Sequence, residues 1–414
     1  MVLYNIGIHL YTAAIKLASL WNGKARSWRT GRRDIFSRMK ERIGADGSDR
    51  PLIWIHAASL GEFEQGRPVI EAIRSAHPRY RILLTFFSPS GYEIRRDYPG
   101  ADYIFYLPAD TPRNVRRFLD IARPSTAVFI KYEFWLNYLS ELRRRGIRTF
   151  IVSAIFRRNS IFFRPYGGVF RRALGTFERL FVQNEESRAL LAGIGIDRVT
   201  VAGDTRFDRV AAIAAAARCI ECIERFCGEA PCFIAGSTWG PDEEILLPLV
   251  NAHRDWKFII APHEMEEQRI GRIEREAAGG AVRYTRLRAD SDPASAQVLI
   301  IDTIGILSSA YRYARAAYIG GGFGAGIHNT LEAATFGLPI AFGPNYSRFK
   351  EACELIACDA ARSVASAPEL EAWFSALAGD RTLLDKRGRA AADYVTAHRG
   401  ATDAILGVLF GPEQ

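Results

Sequence analysis

The sequence predicts an α/β protein made of two Rossmann-like domains. Short apolar runs alternate with amphipathic stretches along two successive parts of the chain, which is the βα alternation of a layered α/β fold. Several runs are continuously apolar, as expected of strands buried on both faces of a parallel sheet. A chain of 414 residues, 48% of them hydrophobic, is also too long for one typical domain.

The first series of apolar runs begins near residue 51. We predict strands at PLIWIHAAS, YRILLTFF, YIFYLP, STAVFIKYE, RTFIVSA, RLFVQN and RVTVAG. The stretches between them predict helices, among them Gly66–Ser75, Pro112–Ile121 and Phe134–Arg145. These elements define a first domain at residues 36–210.

The second series follows an Ala-rich helix predicted at residues 208–226. Its strands are predicted at CFIAGST, KFIIAPH, VRYTR, VLIIDT, AAYIGGG and LPIAFGP. We therefore place a second domain at residues 211–414, and no low-complexity linker or internal repeat separates it from the first.

The N-terminal segment, residues 1–35, predicts a membrane-associated helix followed by a basic stretch. Residues 2–21 are almost entirely apolar, and their polar members fall on one narrow helical stripe: Asn5, His9, Thr12, Lys16 and Ser19. The positive charges follow this run, so we expect a retained helix that spans the membrane or lies in its interface, with the body of the protein on the cytoplasmic side. The alternative is a core helix packed on the first domain.

The net charge of +9 favours an anionic partner, either a membrane surface, a phosphorylated substrate or nucleic acid. No zinc-finger spacing or single-strand-binding aromatic pattern accompanies the charge, so nucleic acid is not expected. Four of the six cysteines, Cys219, Cys222, Cys227 and Cys232, lie close together. They could begin a zinc or iron–sulfur site, but we expect ordinary thiols and no metal, and the same holds for the polar loop Asp290-Ser291-Asp292.

A glycine-rich segment at residues 320–334 is the most informative motif. It follows a predicted strand and opens a predicted helix, where glycines allow close approach of a ligand and free N–H groups can bind a phosphate. Glu332 lies one turn inside the predicted helix, where its carboxylate could accept hydrogen bonds from a ribose diol. The motif favours a nucleotide-sugar phosphate; a dinucleotide and a purely structural turn are the alternatives.

The first domain carries a second motif, Ala58-Ser59-Leu60-Gly61-Glu62, directly after its first strand. Gly61 is expected to permit a tight turn, and Glu62 is then placed at the carboxyl end of a strand, where open α/β sheets bind ligands. A carboxylate there can act as general base. The alternative is a helix-terminal Glu that stabilises the helix dipole.

A third candidate segment mixes cations with aromatic residues at positions 157–172. Its cations Arg157, Arg158 and Arg164 suit the phosphate groups of a glycolipid, and its aromatic residues suit a headgroup region. The alternative is a solvated helix face with buried phenylalanines.

Four motifs resemble those of the bacterial 3-deoxy-D-manno-octulosonic acid (Kdo) transferases, in the family's order. WIHAASLGE (54–62) resembles Trp-x-His-x-x-Ser-x-Gly-Glu, and KYEFWLN (131–137) resembles Glu-Thr-Glu-Leu-Trp-Pro-Asn. VAGDTRFDRV (201–210) resembles Gly-Asn-Leu-Lys-Phe-Asp, and GIHNTLEAA (326–334) resembles Gly-Gly-His-Asn-x-Leu-Glu-Pro-Ala.

The resemblance implies a GT-B type glycosyltransferase, with two Rossmann-like domains facing a central cleft. It implies an inverting transfer of Kdo from CMP-Kdo to a lipid A precursor, lipid IVA, in lipopolysaccharide inner-core biosynthesis at the cytoplasmic face of the cell inner membrane, without metal or cofactor. Glu62 is then the general base and Glu133 a second essential acid, with Ser59 and Gly61 beside the acceptor. The implied donor-binding residues are Arg206, Ser237, Thr238, Pro262, His263, Gly326, His328, Asn329 and Glu332.

Some positions depart from the family pattern. Arg206 stands where Lys is usual, and Ala261-Pro262-His263 replaces the common Pro-Arg-His, which removes one expected cation. Two alternatives stay open: another GT-B glycosyltransferase with a different nucleotide sugar, or a non-catalytic membrane-bound nucleotide-binding protein. A panel of donors with a lipid acceptor distinguishes them.

Overall fold

The structure, a computed structural model, describes residues 1–288 and 291–411. It divides into two compact units. Unit 1 comprises Met1–Asp208 together with the C-terminal residues from Arg399, and unit 2 comprises Arg209–His398.

Unit 1 is built on a sheet of seven parallel strands in the order β3-β2-β1-β4-β5-β6-β7. The strands are β1 (Leu52–Ala57), β2 (Arg81–Phe86), β3 (Tyr103–Tyr106), β4 (Thr126–Ile130), β5 (Arg148–Ala154), β6 (Arg179–Val182) and β7 (Val199–Val201). Every residue of β1, β3 and β4 is buried, because helices cover both faces of the sheet. The continuous apolar runs of the sequence follow from this two-sided burial.

The helices of unit 1 precede the sheet or connect its strands. They are α1 (Val2–Ala18), α2 (Gly23–Gly31), α3 (Ile35–Gly44), α4 (Leu60–Ala76), α5 (Pro89–Arg95), α6 (Pro112–Ala122), α7 (Leu136–Arg144), α8 (Gly168–Leu174) and α9 (Glu185–Ala192). Side-chain caps fix some of their starts: Thr111 accepts from the N–H of Asn114 in α6, and Asn184 accepts from the N–H of Ser187 in α9. The boundary between the units falls within α10 (Thr205–Ala215).

Unit 2 repeats this architecture with a parallel sheet in the order β10-β11-β9-β8-β12-β13-β14. Its strands are β8 (Cys232–Thr238), β9 (Lys257–Pro262), β10 (Ala281–Arg283), β11 (Val298–Ile300), β12 (Ala316–Ile319), β13 (Ile340–Phe342) and β14 (Ala361–Ser363). Its helices are α11 (Glu221–Cys227), α12 (Gly240–Ala252), α13 (Glu267–Glu276), α14 (Leu307–Ala310), α15 (Leu331–Ala334), α16 (Lys350–Ala357), α17 (Ala367–Gly379) and α18 (Arg381–Ala397).

The last helix, α19 (Ala401–Leu409), belongs to unit 1, whereas the sequence placed all of residues 211–414 in the second domain. Ile405 and Leu409 are buried in the unit 1 core, and Asp208 accepts hydrogen bonds from the N–H groups of Gly400 and Thr402 at the start of the helix. The physical reason is this apolar packing, which a local sequence pattern does not reveal.

The N-terminal helix α1 packs on unit 1 through part of its polar stripe, since Asn5, Thr12 and Ser19 are at least partly buried while His9, Lys16 and most of its apolar residues are exposed. Tyr4 donates to Asp110 at 2.6 Å, Asn137 donates to Asn5 at 2.8 Å, and Ser19 is buried. The exposed apolar residues are Val2, Leu3, Ile6, Leu10, Leu17, Leu20 and Trp21. The helix thus packs on the first domain with one face only. Among the described residues, none of the helices combines the length and hydropathy needed to cross a bilayer.

The predicted α/β architecture of two parallel sheets is confirmed, with corrections in detail. The helix predicted at 208–226 is interrupted, since α10 ends at Ala215 and α11 starts at Glu221. The thiol of Cys219 lies in this break and is exposed, whereas Cys227 and Cys232 are buried.

Candidate functional site

The strand order of the parallel sheet in unit 1 reverses between β1 and β4, which are neighbours in the sheet but not in the chain. Ligands of open α/β sheets bind at the carboxyl ends of the strands that flank such a switch point. The segments that follow these two strands carry the two predicted catalytic acids, Glu62 after β1 and Glu133 after β4. The fold therefore brings both acids to the same edge of one sheet.

Glu62 lies in the first turn of α4 and is partly exposed. The hydroxyl of Ser59 donates to its Oε2. Burial raises the pKa of Tyr132, Arg157 lowers it and Glu62 raises it, so Tyr132 lies near both charged side chains. The position also suits the helix-dipole interpretation, and the two roles are compatible, because a carboxylate in a first turn stays available to a ligand.

Gly61 does not form the tight turn that the sequence predicted. It lies inside the first turn of α4 and is not among the glycines with positive φ. A Cβ at this position would meet only the Ser59 hydroxyl, at 3.9 Å. The absence of a side chain at Gly61 therefore leaves open space beside Glu62.

The Glu133 carboxylate is held by two side chains, the buried His56 and the half-buried Trp135. Its Oε2 lies 3.1 Å from Nε2 of His56 and 2.5 Å from Nε1 of Trp135. The indole is 3.2 Å from His56, a longer contact, so the carboxylate is its main acceptor. Oε1 of Glu133 has no hydrogen-bond partner among the described residues and is available to a substrate.

A cavity of about 420 Å³ adjoins Glu133 in unit 1. It is lined by Tyr4, Ile8, Tyr132, Glu133, Phe134, Trp135, Ser160, Ile161, Phe162 and Phe170. Two of these residues come from α1, so the apolar N-terminal helix forms one wall of the cavity. The lining is almost entirely apolar apart from the carboxylate, which sequence reasoning did not foresee.

The cationic segment 157–172 is partly as predicted. Arg157, Arg158 and Arg164 are exposed, whereas Phe162 is buried in the core of unit 1. The segment forms two 3-10 turns, Ile161–Phe163 and Pro165–Gly167, rather than one helix face. Both earlier interpretations thus describe part of it: the cations face solvent and the phenylalanines fill the core.

Unit 2 has its own switch point between β8 and β12. Ser237, near the carboxyl end of β8, adopts a left-handed conformation with φ of 54° where the strand register shifts. His263 follows β9 and is exposed. Thr238 and Pro262 are buried, and the Thr238 hydroxyl donates to Glu243 at 3.0 Å. The side chain of Thr238 is therefore committed to the interior, and a direct ligand contact by it is not supported.

The glycine-rich loop after β12 uses its glycines to pack against the protein. A Cβ at Gly320 would lie 2.2 Å from the carbonyl oxygen of Ser237, and one at Gly322 would lie 2.5 Å from Cα of Gly343. The N–H of Gly321 donates to the buried Asp242 at 2.9 Å, and burial raises the pKa of that carboxyl. Close backbone packing is the reason for these glycines.

The expected helix start in this loop needs correction. α15 has only four residues, and the N–H of Leu331 already donates to Oδ1 of Asn329. Asn329 also donates to Glu332 at 3.0 Å. Asn329 and Glu332 thus form a side-chain pair at the loop, and the N–H of Leu331 is not free to bind a phosphate.

Two residues near this loop, the aromatic Trp239 and the cationic Arg348, were not predicted from the sequence. Trp239 follows β8 and stacks on His263 at 4.8 Å, and His263 stacks on His328 at 4.3 Å. Burial, with the neighbouring His263, lowers the pKa of His328 to about 4. Arg348 brings a guanidinium to Gly326, where a Cβ would lie 2.6 Å from its Nη2. Only their positions in the sequence could have indicated Trp239 and Arg348, since each lies beyond the carboxyl end of a strand.

Comparison with known proteins agrees with this geometry. The family model described as "3-Deoxy-D-manno-octulosonic-acid transferase (kdotransferase)" matches residues 37–209. A 3-deoxy-D-manno-octulosonic acid transferase of Bordetella pertussis is 28% identical over 98% of this chain and 99% of its own length. One from Aquifex aeolicus is 26% identical over 70% of this chain and 76% of its own length. The chain is therefore similar to Kdo transferases over nearly its whole length.

A comparison with solved structures identifies the fold of this chain. A UDP-GlcNAc 2-epimerase from Neisseria meningitidis, bound to UDP-GlcNAc, superposes with a TM-score of 0.62. It covers 87% of this chain and 100% of its own at 14% identity, a level that establishes the fold alone. The predicted fold class of two Rossmann-like α/β domains is thus confirmed.

Arg206, the last of the predicted donor-binding residues, lies in the first turn of α10 within unit 1. Its guanidinium pairs with Asp204 at 2.8 Å, so part of its charge is compensated. In the part of the chain that the structure describes, no group of three or more His, Cys, Asp or Glu side chains is arranged to hold a metal ion. Asp290 of the Asp290-Ser291-Asp292 motif lies outside the described residues.

Proposed function

We propose that this chain is an inverting transferase that moves Kdo from CMP-Kdo to a lipid A precursor, lipid IVA, at the cytoplasmic face of the cell inner membrane. The observation that carries the proposal is the placement of Glu62 and Glu133 at the carboxyl ends of β1 and β4, on either side of the sheet's switch point. The names of the Bordetella and Aquifex relatives support Kdo as the sugar.

In the proposed reaction, an acceptor hydroxyl attacks the anomeric carbon of Kdo. A C–O bond forms between the acceptor oxygen and the anomeric carbon. The bond from that carbon to the phosphate oxygen breaks, and CMP leaves with its electron pair. Glu62 takes the proton of the hydroxyl as general base. Ser59 donates to one carboxylate oxygen of Glu62, which orients the other oxygen toward the acceptor, and the open space at Gly61 gives the sugar room.

Glu133 has a supporting role in this proposal. Donors from His56 and Trp135 fix its Oε2, so Oε1 is left to accept a hydrogen bond from a second acceptor hydroxyl. Such positioning reduces the orientational freedom lost in the transition state. Arg157, beside Tyr132, supplies positive charge for a phosphate of the acceptor, and Arg158 and Arg164 lie exposed in the same segment.

In unit 2, the proposal assigns CMP-Kdo to the loops after β8, β9 and β12. Ser237, His263, His328 and the Asn329–Glu332 pair are exposed or half-exposed there. Glu332 is suited to accept from a ribose diol, because a carboxylate accepts two hydrogen bonds. Arg348 at Gly326 offers the cation that the sequence lacks at Ala261.

Three features of unit 1 support a lipid acceptor and a membrane surface. The cavity beside Glu133 is apolar, and α1, which forms one of its walls, exposes a row of apolar side chains. A second cavity, of about 770 Å³, is lined by Lys16, Arg29, Arg32, Arg33 and Arg117 with Asp34 as the one acid. Basic groups beside an apolar helix suit the anionic headgroups of an interface.

The proposal is tested by incubating the protein with CMP-Kdo and a tetraacylated lipid A precursor and measuring product mass. Glu62→Gln should lower the transfer rate by roughly a hundredfold or more, while binding of CMP-Kdo is retained. Glu71→Gln is the matched control, since Glu71 lies on the same helix and pairs with Arg67 at the surface. Unchanged turnover in Glu62→Gln would remove Glu62 from the role of base, and no product from the unmodified protein would refute the proposed activity.

A further inference from the structure

The contact between Trp239 and His328 has an unusual geometry. Nε1 of the indole lies 3.0 Å from Nε2 of the imidazole, and the two ring planes differ by only 8°. The indole N–H therefore lies in the plane of the imidazole and points at the ring nitrogen. Since an indole N–H can only donate, Nε2 of His328 is the acceptor.

This hydrogen bond determines the tautomer of the His328 imidazole, that is, which ring nitrogen carries the proton. A neutral imidazole has one protonated and one unprotonated nitrogen, so an accepting Nε2 puts the hydrogen on Nδ1. The Nε2 edge is also closed by Gly321, where a Cβ would lie 3.0 Å from Cδ2 and 3.3 Å from Nε2 of His328. Nδ1 lies on the opposite edge of the ring and has no hydrogen-bond partner among the described residues.

A second proton is disfavoured for independent reasons. An N–H at Nε2 would face the indole N–H, and His263 stacks on both rings, at 4.8 Å from Trp239 and 4.3 Å from His328. Burial and His263 keep the pKa of His328 near 4, well below its ordinary value. His328 is therefore neutral at neutral pH.

We propose that Trp239 is a positioning residue that fixes His328 as its Nδ1–H tautomer, so that His328 gives the donor substrate one uncharged hydrogen bond. The acceptor atom is a phosphate or carboxylate oxygen of the sugar nucleotide, because these are the anionic oxygens of such a ligand. The inference rests on the proposed function for the identity of this ligand. It assigns the cationic contact at the loop to Arg348 and not to His328.

The tautomer can be measured without any substrate. Labelling the seven histidines with the NMR-active nitrogen isotope reports which ring nitrogen is protonated, and His328→Gln identifies the signals of His328. We expect a protonated Nδ1 and an unprotonated Nε2 at neutral pH. A protonated Nε2 in the unmodified protein would overturn the inference whatever the enzyme's activity.

The variant Trp239→Phe removes the indole N–H and keeps an aromatic ring for His263 to stack on. The signals of His328 should shift to a mixture of tautomers and titrate at a higher pH. The matched control is Trp373→Phe, a buried tryptophan of the same unit that packs in its core. Unchanged His328 signals in Trp239→Phe would contradict the positioning role.

The kinetic arm separates this inference from the proposed function. In Trp239→Phe, the KM for CMP-Kdo should rise roughly tenfold while kcat changes less, and that KM should become dependent on pH between about 5 and 7. If the unmodified protein transfers no Kdo, the proposed function fails while the tautomer result stands. If transfer occurs but Trp239→Phe behaves like Trp373→Phe in KM and pH profile, the inference fails alone.

Discussion

Nε2 of His56 lies 3.1 Å from Oε2 of Glu133, although the two residues are 77 positions apart in the chain. The contact follows from the sheet, because His56 near the end of β1 pairs in register with Phe129 of β4. His56 is fully buried, and Nδ1 is 2.9 Å from the hydroxyl of Thr85, which in turn accepts from the Trp54 indole at 2.8 Å.

These contacts form one chain of donors and acceptors. The Thr85 hydroxyl accepts from Trp54, Nδ1 of His56 faces both this hydroxyl and, at 3.1 Å, the carbonyl oxygen of Thr85, and Nε2 faces the Glu133 carboxylate, which can only accept. Buried networks of this kind hold a side chain in one orientation. The position of Glu133 is therefore set by the core of unit 1 as much as by its own loop.

Replacing Trp135 by Phe tests the orientation of Glu133. The change removes the hydrogen bond at 2.5 Å and retains ring packing on Phe87. A hydrogen bond to a charged group contributes about 1.5–3 kcal/mol, so kcat/KM for transfer should fall roughly ten- to a hundredfold. The measurement is steady-state transfer at fixed CMP-Kdo. Trp256→Phe, in the core of unit 2, should leave the rate unchanged; equal effects of the two changes would argue against the role of Trp135.

Two glycines of α4 give a matched pair for the space beside Glu62. Gly61→Ala meets only the Ser59 hydroxyl and should raise the free energy of unfolding by up to about 1 kcal/mol, since Ala favours a helix. Gly66→Ala would place a methyl group 2.9 Å from the buried Ile130 side chain and should lower the free energy of unfolding by about 1–3 kcal/mol. Denaturant unfolding measures both.

If the acceptor sugar occupies the space at Gly61, kcat/KM for the acceptor should fall in Gly61→Ala despite the gain in stability. A more stable variant with full acceptor kcat/KM would show that the space is not used.

Asp110 gives the fold a pH dependence. Burial raises the pKa of its carboxyl to about 6, against the three hydrogen bonds that it accepts from Tyr4, Asn137 and Tyr138. Between about pH 4 and 6 the folded protein binds this proton more tightly than the unfolded chain, so its contribution to stability is lost as pH rises through that window. The loss amounts to roughly 3 kcal/mol.

The variant Asp110→Asn cannot titrate and should lack this component. The free energy of unfolding of the unmodified protein, measured relative to the variant, should therefore decrease from about pH 4 to pH 7. Thermal or urea unfolding across that range measures it. A constant difference between the two proteins would contradict the linkage.

The exposed apolar face of α1 predicts binding to membranes. Leu3 and Leu10 are 86% and 66% exposed, and replacing both by Ser should weaken co-sedimentation with anionic phospholipid vesicles severalfold without lowering the melting temperature. Ile94→Ser is the control, because Ile94 is 58% exposed on α5 of the same unit. Added salt should weaken the binding further if the basic cavity contributes. Equal losses in the control and the double variant would indicate nonspecific adsorption.

The sequence predicts the strands well because each is a run of consecutive buried apolar residues. β1 and β4 are completely buried, and their boundaries agree with the predicted runs within a few residues. β14 was missed, since it has three residues at the edge of its sheet and exposes Arg362. Helix starts are less certain: α4 begins at Leu60 and not at Gly66, which moves Glu62 from a loop into a helix.

The positions of the candidate site residues relative to the strands follow from the sequence, whereas their contacts do not, and their roles stay predictions. The motifs placed Glu62, Glu133, His328 and Asn329 at the carboxyl ends of strands, as the structure has them. What they could not give is which partner each side chain meets. The chain His56–Thr85–Trp54 and the Trp239–His328 contact join distant segments, so no local spacing encodes them.

The return of α19 to unit 1 bears on how the protein is made. Phe410 stacks on His77 at 3.7 Å, and Arg148 donates to the carbonyl of Leu409, so the first unit completes its core with residues that follow unit 2 in the chain. The amino-terminal unit thus leaves the ribosome unfinished and exposes the apolar surface of α4 until α19 has been synthesised. A polypeptide cut after Asp208 should be poorly soluble, and grafting residues 399–411 behind it should restore a well-behaved protein.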